Sequence, residues 1–142
     1  MTKKRGLAWV LIATVLLCCL LLLIPLVQRG IRVLQEQDQQ SREQCMISYA
    51  EMIDNYLQRT HQNGQDHTFG LLVLNQQLEG YASPYSTDLG PMRVVSCNEF
   101  GEPLQPVDRR CHLIGYYTSV DGKVYKLFVW DTAGRLIWVR RN

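Results

Sequence analysis

Residues 7–27 read LAWVLIATVLLCCLLLLIPLV, a run of 21 residues without a charge that only Thr14 and Pro25 interrupt. At a helical rise of about 1.5 Å per residue the run spans about 30 Å, the thickness of a bilayer's hydrocarbon core. The rest of a 142-residue chain is too small to surround a helix that is apolar on every face, so the segment reads as a transmembrane helix rather than a core helix. A cleaved signal peptide would have an apolar region of about 7–15 residues closing on small residues. This run is longer and ends Ile24-Pro25-Leu26-Val27-Gln28, so the helix is expected to be retained. Leu16-Leu17 precede Cys18-Cys19 where a lipidation site would want small residues, and those thiols are read as lipid-facing or helix-packing.

On one side of the run lie Lys3, Lys4 and Arg5, on the other Arg29 and Arg32. The positive-inside bias therefore places residues 1–6 in the cytoplasm and the remainder outside it. Residues 28–44 follow as a polar stalk. Its second part, QEQDQQSREQ, lacks Gly and Pro and is rich in good helix formers; a disordered linker is the alternative. From residue 45 the pattern changes. Cys45, Tyr49, Met52, Ile53, Tyr56 and Leu57 recur at spacings that put them on one helical face, which needs a partner. Tyr49, Ile53 and Tyr56 are the residues expected to pack against it. The helix should stop near Thr60, before His61-Gln62-Asn63-Gly64, giving one nearly continuous helix over 7–60, bent at Pro25 or Gly30.

Beyond Gly64 the apolar period drops from 3.6 to 2. Residues 67–74 read as a short strand or buried loop, and 75–91 as an irregular connection carrying Gly80, Pro84, Gly90 and Pro91. Strands are predicted over 92–97, 111–120, 123–130 and 135–140. Asp121-Gly122 is a two-residue hairpin signal, and Asp131-Thr132-Ala133-Gly134 a further turn. The fold class is α+β: a long N-terminal helix, transmembrane in its first half and amphipathic in its second, packed on an antiparallel β-meander of about four strands. Residues 45–142 form the extracytoplasmic domain. Helix on sheet is the simplest architecture that buries both apolar faces.

Composition narrows the function classes. A net charge of +2, with basic residues split between the ends and Arg109-Arg110, does not build the basic face that nucleic acid requires. His61, His67 and His112 are the only histidines, and none stands at metal-ligand spacing. Adjacent Cys111 and His112 would point to opposite faces of a strand. The soluble part has no Cys-x-x-Cys pair. Asp88, Asp108, Asp121 and Asp131 all sit in turn contexts. No catalytic residue, metal or cofactor is therefore expected. Trp130, Trp138, Tyr116, Tyr117, Tyr125 and Phe128 are split by strand alternation between two faces, one of which is core.

Cys97 and Cys111 flank a Pro- and Gly-containing loop over 99–108. A disulfide between them would contribute about 3 kcal/mol by the chain-entropy argument and would fit an extracytoplasmic domain; two unrelated free thiols are the alternative. Cys45 is then the odd cysteine, a buried small residue or a site for an intermolecular bond.

The order of these segments, a helix apolar then amphipathic, a loop and a meander, resembles type IV pilins and pseudopilins. Lys3-Lys4-Arg5-Gly6, followed directly by Leu7-Ala8-Trp9-Val10-Leu11-Ile12, looks like a short basic prepilin leader. The resemblance implies cleavage between Gly6 and Leu7 and methylation of the new amino terminus. The Cys97/Cys111 pair also looks like the C-terminal disulfide loop of many pilins. Leu7 stands where the family usually has Phe, and Leu11 where it has the Glu that pairs with a neighbouring amino terminus. These departures imply a minor subunit rather than a major one.

The expected function is that of a single-pass structural component of a bacterial envelope assembly, a pilin-like minor subunit of a type IV pilus or type II secretion apparatus in the inner membrane. Its partners would be the lipid bilayer and other envelope proteins, met through the helix and the sheet surface. The alternative is an accessory docking subunit of another secretion or conjugation complex, with a cystatin-like or nuclear-transport-factor-like domain.

Overall fold

The computed structural model describes residues 2–62 and 70–142. The chain divides into two compact units, 1–40 and 41–142. Helix α1, Thr2–Gln62, supplies all of the described part of the first unit and the first element of the second. It is helical through Pro25 and ends two residues beyond Thr60, with Arg59 and His61 in the last turn, where positive charge favours the carbonyl end of the helix dipole.

In the first unit the described large apolar side chains, Trp9, Ile12, Val15, Leu16, Leu17 and every large aliphatic residue from Leu20 to Leu34, are exposed. The helix is long and apolar enough to cross a membrane, and no residue of its most apolar window is buried.

The second unit is a four-stranded sheet with a different cover on each face. Strands β1 (Arg93–Ser96), β2 (Leu113–Thr118), β3 (Tyr125–Trp130) and β4 (Leu136–Arg141) lie side by side in chain order. The α+β architecture of a long helix and a C-terminal sheet is present, but the sheet is mixed. Strands β2, β3 and β4 are antiparallel, whereas β1 runs parallel to β2, with Arg93 opposite Leu113 and Ser96 opposite Tyr116. The cause lies in residues 97–112. Parallel neighbours need a crossover of about a dozen residues or more, and this connection is long enough to supply one.

One face meets α1. Met46, Ala50, Ile53 and Leu57 are fully buried against Val94, Ile114, Tyr116, Tyr125, Leu127 and Val129. Tyr49, Met52 and Tyr56 flank that stripe and are only partly buried, so the stripe is centred on Met46-Ala50-Ile53-Leu57. Leu71, predicted to lie in a strand or loop, instead opens a short helix α2, Leu71–Gln77, which buries Leu74 in the same core. The earlier part of that stretch, from 67 to 69, lies outside the described residues. The opposite face carries a second cluster, Cys97, Leu113, Phe128 and Trp130, with Val95, Val107 and Tyr117 against it. Residues 97–112 thus cover the face that the helix leaves free. Gly115 permits this close approach: a Cβ there would stand 2.5 Å from the Trp130 ring and 2.8 Å from Cys97 Sγ.

The turns differ from the simplest reading in one respect. The β2–β3 hairpin closes wider than two residues, with Ser119 N–H donating to Val124 O at 2.8 Å and Gly122 N–H to Ser119 O at 2.9 Å. Gly122 has φ of 67°, a left-handed conformation that glycine adopts freely. Between β3 and β4 the register shifts at Val129/Trp130. The irregularity breaks strict alternation, and neighbouring Ile137 and Trp138 both pack on the helix-facing core.

Candidate functional site

The residues singled out in the sequence fall in four places. Gly6 and Leu7 lie within α1. Ile53 is fully buried in the helix–sheet core, with Tyr49 and Tyr56 packed beside it. The Tyr49 ring meets Tyr81 edge-on at 5.2 Å, and a hydrogen bond with Cys45, then burial, pushes its phenol up to about 12. Cys97 and Cys111 are both buried, and both are free thiols. His61 lies in the last turn of α1, and His67 lies outside the described residues.

The structure has no bond between Cys97 and Cys111, and the two thiols lie in different surroundings. Cys97 belongs to the Leu113/Phe128/Trp130 cluster and donates weakly to Val95 O at 3.8 Å. Burial pushes it up to about 11, against the opposing pull of Tyr116 N–H and Arg110. Cys111 precedes β2 in a turn. Burial raises it as well, with Arg109 pulling it down and Asp131 pushing it up. Neither thiol has the electropositive, exposed setting of a reactive cysteine.

The buried polar groups have structural assignments, with two exceptions. Asp54 on α1 accepts from Tyr125 Oη at 2.5 Å, from Gln58 Nε2 at 2.8 Å and from Arg140 Nε at 3.2 Å. Asp131 accepts from Ala133 N–H at 2.9 Å, Arg135 N–H at 2.8 Å and Arg135 Nε at 2.7 Å. Exposed Asp121, in the β2–β3 turn, accepts from Ser119 Oγ at 2.5 Å and Lys123 N–H at 3.3 Å. Asp121 and Asp131 are turn-forming carboxylates, engaged by the chain around them. The exceptions are Tyr85 Oη and His112 Nδ1, which are buried with no hydrogen-bond partner among the described residues. Burial, then Glu43, Cys111 and Asp131, pushes the Tyr85 phenol up to about 12, with Arg42 pulling against them.

His112 is the more informative of the two because it opens on a cavity. The cavity has a volume of about 280 Å³, and its walls include Arg93 on β1, Arg109 in the 97–112 connection, His112 just before β2, and Asp88 and Asp108. Burial lowers the His112 pKa, and Arg93 and Arg109 lower it further. Arg109 stands three residues before His112, but Arg93 is far from both in sequence and no local spacing signals the grouping. Only the parallel pairing of β1 with β2, which sets Arg93 opposite Leu113, brings them together. Among the described residues no three His, Cys, Asp or Glu side chains converge to hold a metal ion.

The chain matches no family model, no curated protein and no solved structure.

Proposed function

We propose that the protein is a membrane-anchored structural component of a bacterial envelope assembly, a pilin-like minor subunit in which the apolar half of α1 packs in the membrane and the 41–142 unit presents its loops to partners. One observation carries the reading. A single helix, Thr2–Gln62, has exposed apolar side chains in its first part and, from Met46 to Leu57, a stripe buried on a sheet. An anchor and a domain joined without a break in the helix support assembly by helix packing. Lys3, Lys4 and Arg5 before the apolar run support a cytoplasmic amino terminus and a periplasmic domain. Leu11, without the charge that sets register in major subunits, suits a capping or initiating position.

N-terminal sequencing of the membrane-extracted protein tests this. With a prepilin peptidase present, a chain beginning at Leu7 supports the pilin-like role, and a chain still beginning at Met1 removes it. The parallel β1–β2 pair favours a second reading, a docking subunit of another secretion or conjugation complex, because it departs from the antiparallel meander on which the pilin resemblance rests. In that case replacing Gly6 by a bulky residue leaves localisation and activity unchanged.

A further inference from the structure

The cavity at the start of β1 and β2 combines three features. Arg93 and Arg109 line it, and among the described residues neither guanidinium is in an ion pair. His112 lines it at 7% exposure, with a ring nitrogen that is buried and unpartnered. Arg93 comes from β1, and Arg109 and His112 from the end of the 97–112 connection, which the parallel β1–β2 pairing sets beside β1. Two guanidiniums stand near the imidazole, with Asp88 and Asp108 lining the same cavity; the guanidiniums offer an anion charge-assisted N–H donors, and the unpaired buried nitrogen of His112 is a cost that a partner would relieve.

We propose that the cavity walled by Arg93, Arg109 and His112 is a binding site for a phosphomonoester. A carboxylate offers two oxygens, whereas a phosphomonoester offers three terminal oxygens to three separate donors, and guanidinium forks match phosphate geometry. The charged groups facing His112 are Arg93 and Arg109. The cavity also has Asp88 and Asp108, which like Arg93 and Arg109 are exposed. The proposed anion binds the two guanidiniums, the donors that line the cavity beside His112. The phosphomonoester has two sources of the same chemistry, a soluble phosphate compound or a phosphatidic-acid headgroup. The site is independent of the pilin-like reading.

The test uses the full chain with ¹⁵N-labelled histidine in phosphatidylcholine nanodiscs near pH 6.5, titrated with inorganic phosphate against sodium chloride of equal ionic strength. The expected result is a saturable shift of the His112 ring signals towards imidazolium, assigned with His112→Gln. Arg93→Gln and Arg109→Gln are each expected to weaken binding about tenfold, the loss of one charge-assisted hydrogen bond, and Asp88→Asn to leave it unchanged or tighten it. A parallel arm in nanodiscs containing phosphatidic acid separates the sources: a shift from lipid alone assigns the headgroup, and a shift from inorganic phosphate in pure phosphatidylcholine assigns a soluble ligand. Absence of a shift in both arms, an equal response to chloride, unchanged affinity in both arginine variants, or weakening by Asp88→Asn overturns the proposal.

Discussion

Tyr125 donates its phenolic hydrogen to Asp54, joining β3 to α1 across 71 positions of chain. The same carboxylate takes Gln58 from its own helix and Arg140 from β4, so one buried side chain ties the helix to the two strands at the far side of the sheet. The pairing also bears on Tyr125 itself, whose phenol is raised first by burial and then by the neighbouring carboxylate. Asp54→Ala removes the acceptor that three donors share and is expected to destabilise the 41–142 unit by about 2–3 kcal/mol. Tyr125→Phe, which deletes one hydrogen bond, should cost about 1 kcal/mol. Denaturant unfolding of the detergent-solubilised chain, followed by tryptophan fluorescence, measures both. The double variant should fall short of the sum of the single effects, as expected for groups in one network.

Asp131 predicts the acid limb of stability. Burial raises its pKa, but the hydrogen bonds from the Arg135 main chain and side chain, aided by the Arg135 charge and Ala133 N–H, outweigh it and hold the carboxyl below 3.8. A folded pKa below the unfolded one contributes stability that is complete above the unfolded value and is lost as pH falls through the folded value. Denaturation midpoints should therefore decline below about pH 4, the ordinary aspartate range. Asp131→Asn, measured over the same range, should show a shallower decline along with lower stability at neutral pH.

Gly115→Ala tests how closely the 97–112 connection approaches the sheet. The added methyl meets Trp130, Cys97 Sγ and Phe128 Cβ within 3.0 Å, and overpacking of this kind costs about 1–3 kcal/mol. A thermal midpoint equal to that of the unsubstituted chain would show that the connection does not rest on β2.

The burial of Cys97 and Cys111 predicts slow alkylation. At pH 8 a maleimide should modify half-exposed Cys45 ahead of both, and reach Cys97 and Cys111 only when denaturant is added. Mass spectrometry of the labelled peptides reads the order directly.

Asn75 predicts a change in association. Its side-chain amide accepts from Val94 N–H at 2.7 Å and donates to Val94 O at 3.3 Å, as a neighbouring strand would. Asn75→Ala uncovers both groups and should cost about 1–3 kcal/mol. Exposed strand edges recruit other strands, so the variant should also sediment as larger species than the unsubstituted chain.

Much of this architecture is legible in local pattern. The uncharged run over 7–27, the change of apolar period after Gly64 and the turn residues Asp121-Gly122 and Asp131 to Gly134 are short-range signals, and the helix, the four strands and two of the three strand pairings follow from them. What escapes the sequence is long-range. Strand β1 has the same composition whether it runs parallel or antiparallel to β2, and its direction depends on the path of residues 97–112. Leu71-Leu72-Val73-Leu74 is a short apolar run that periodicity alone cannot assign to strand or helix. The Arg93/Arg109/His112 grouping depends on the β1 direction, and so lies a step further from view.

The two margins of the sheet are unequal, and this sets how the domain can multiply. Along β1 the Asn75 amide occupies Val94, and Leu104 N–H donates to Ser96 O at 2.9 Å as the chain doubles back. Along β4 the outward backbone has no strand beside it among the described residues. A sheet with one sealed margin can join a second copy once, margin to margin, and the join leaves no free end. Strand addition through the β4 margin alone would therefore stop at a pair, and growth into a longer array would need surfaces other than the sheet's edge.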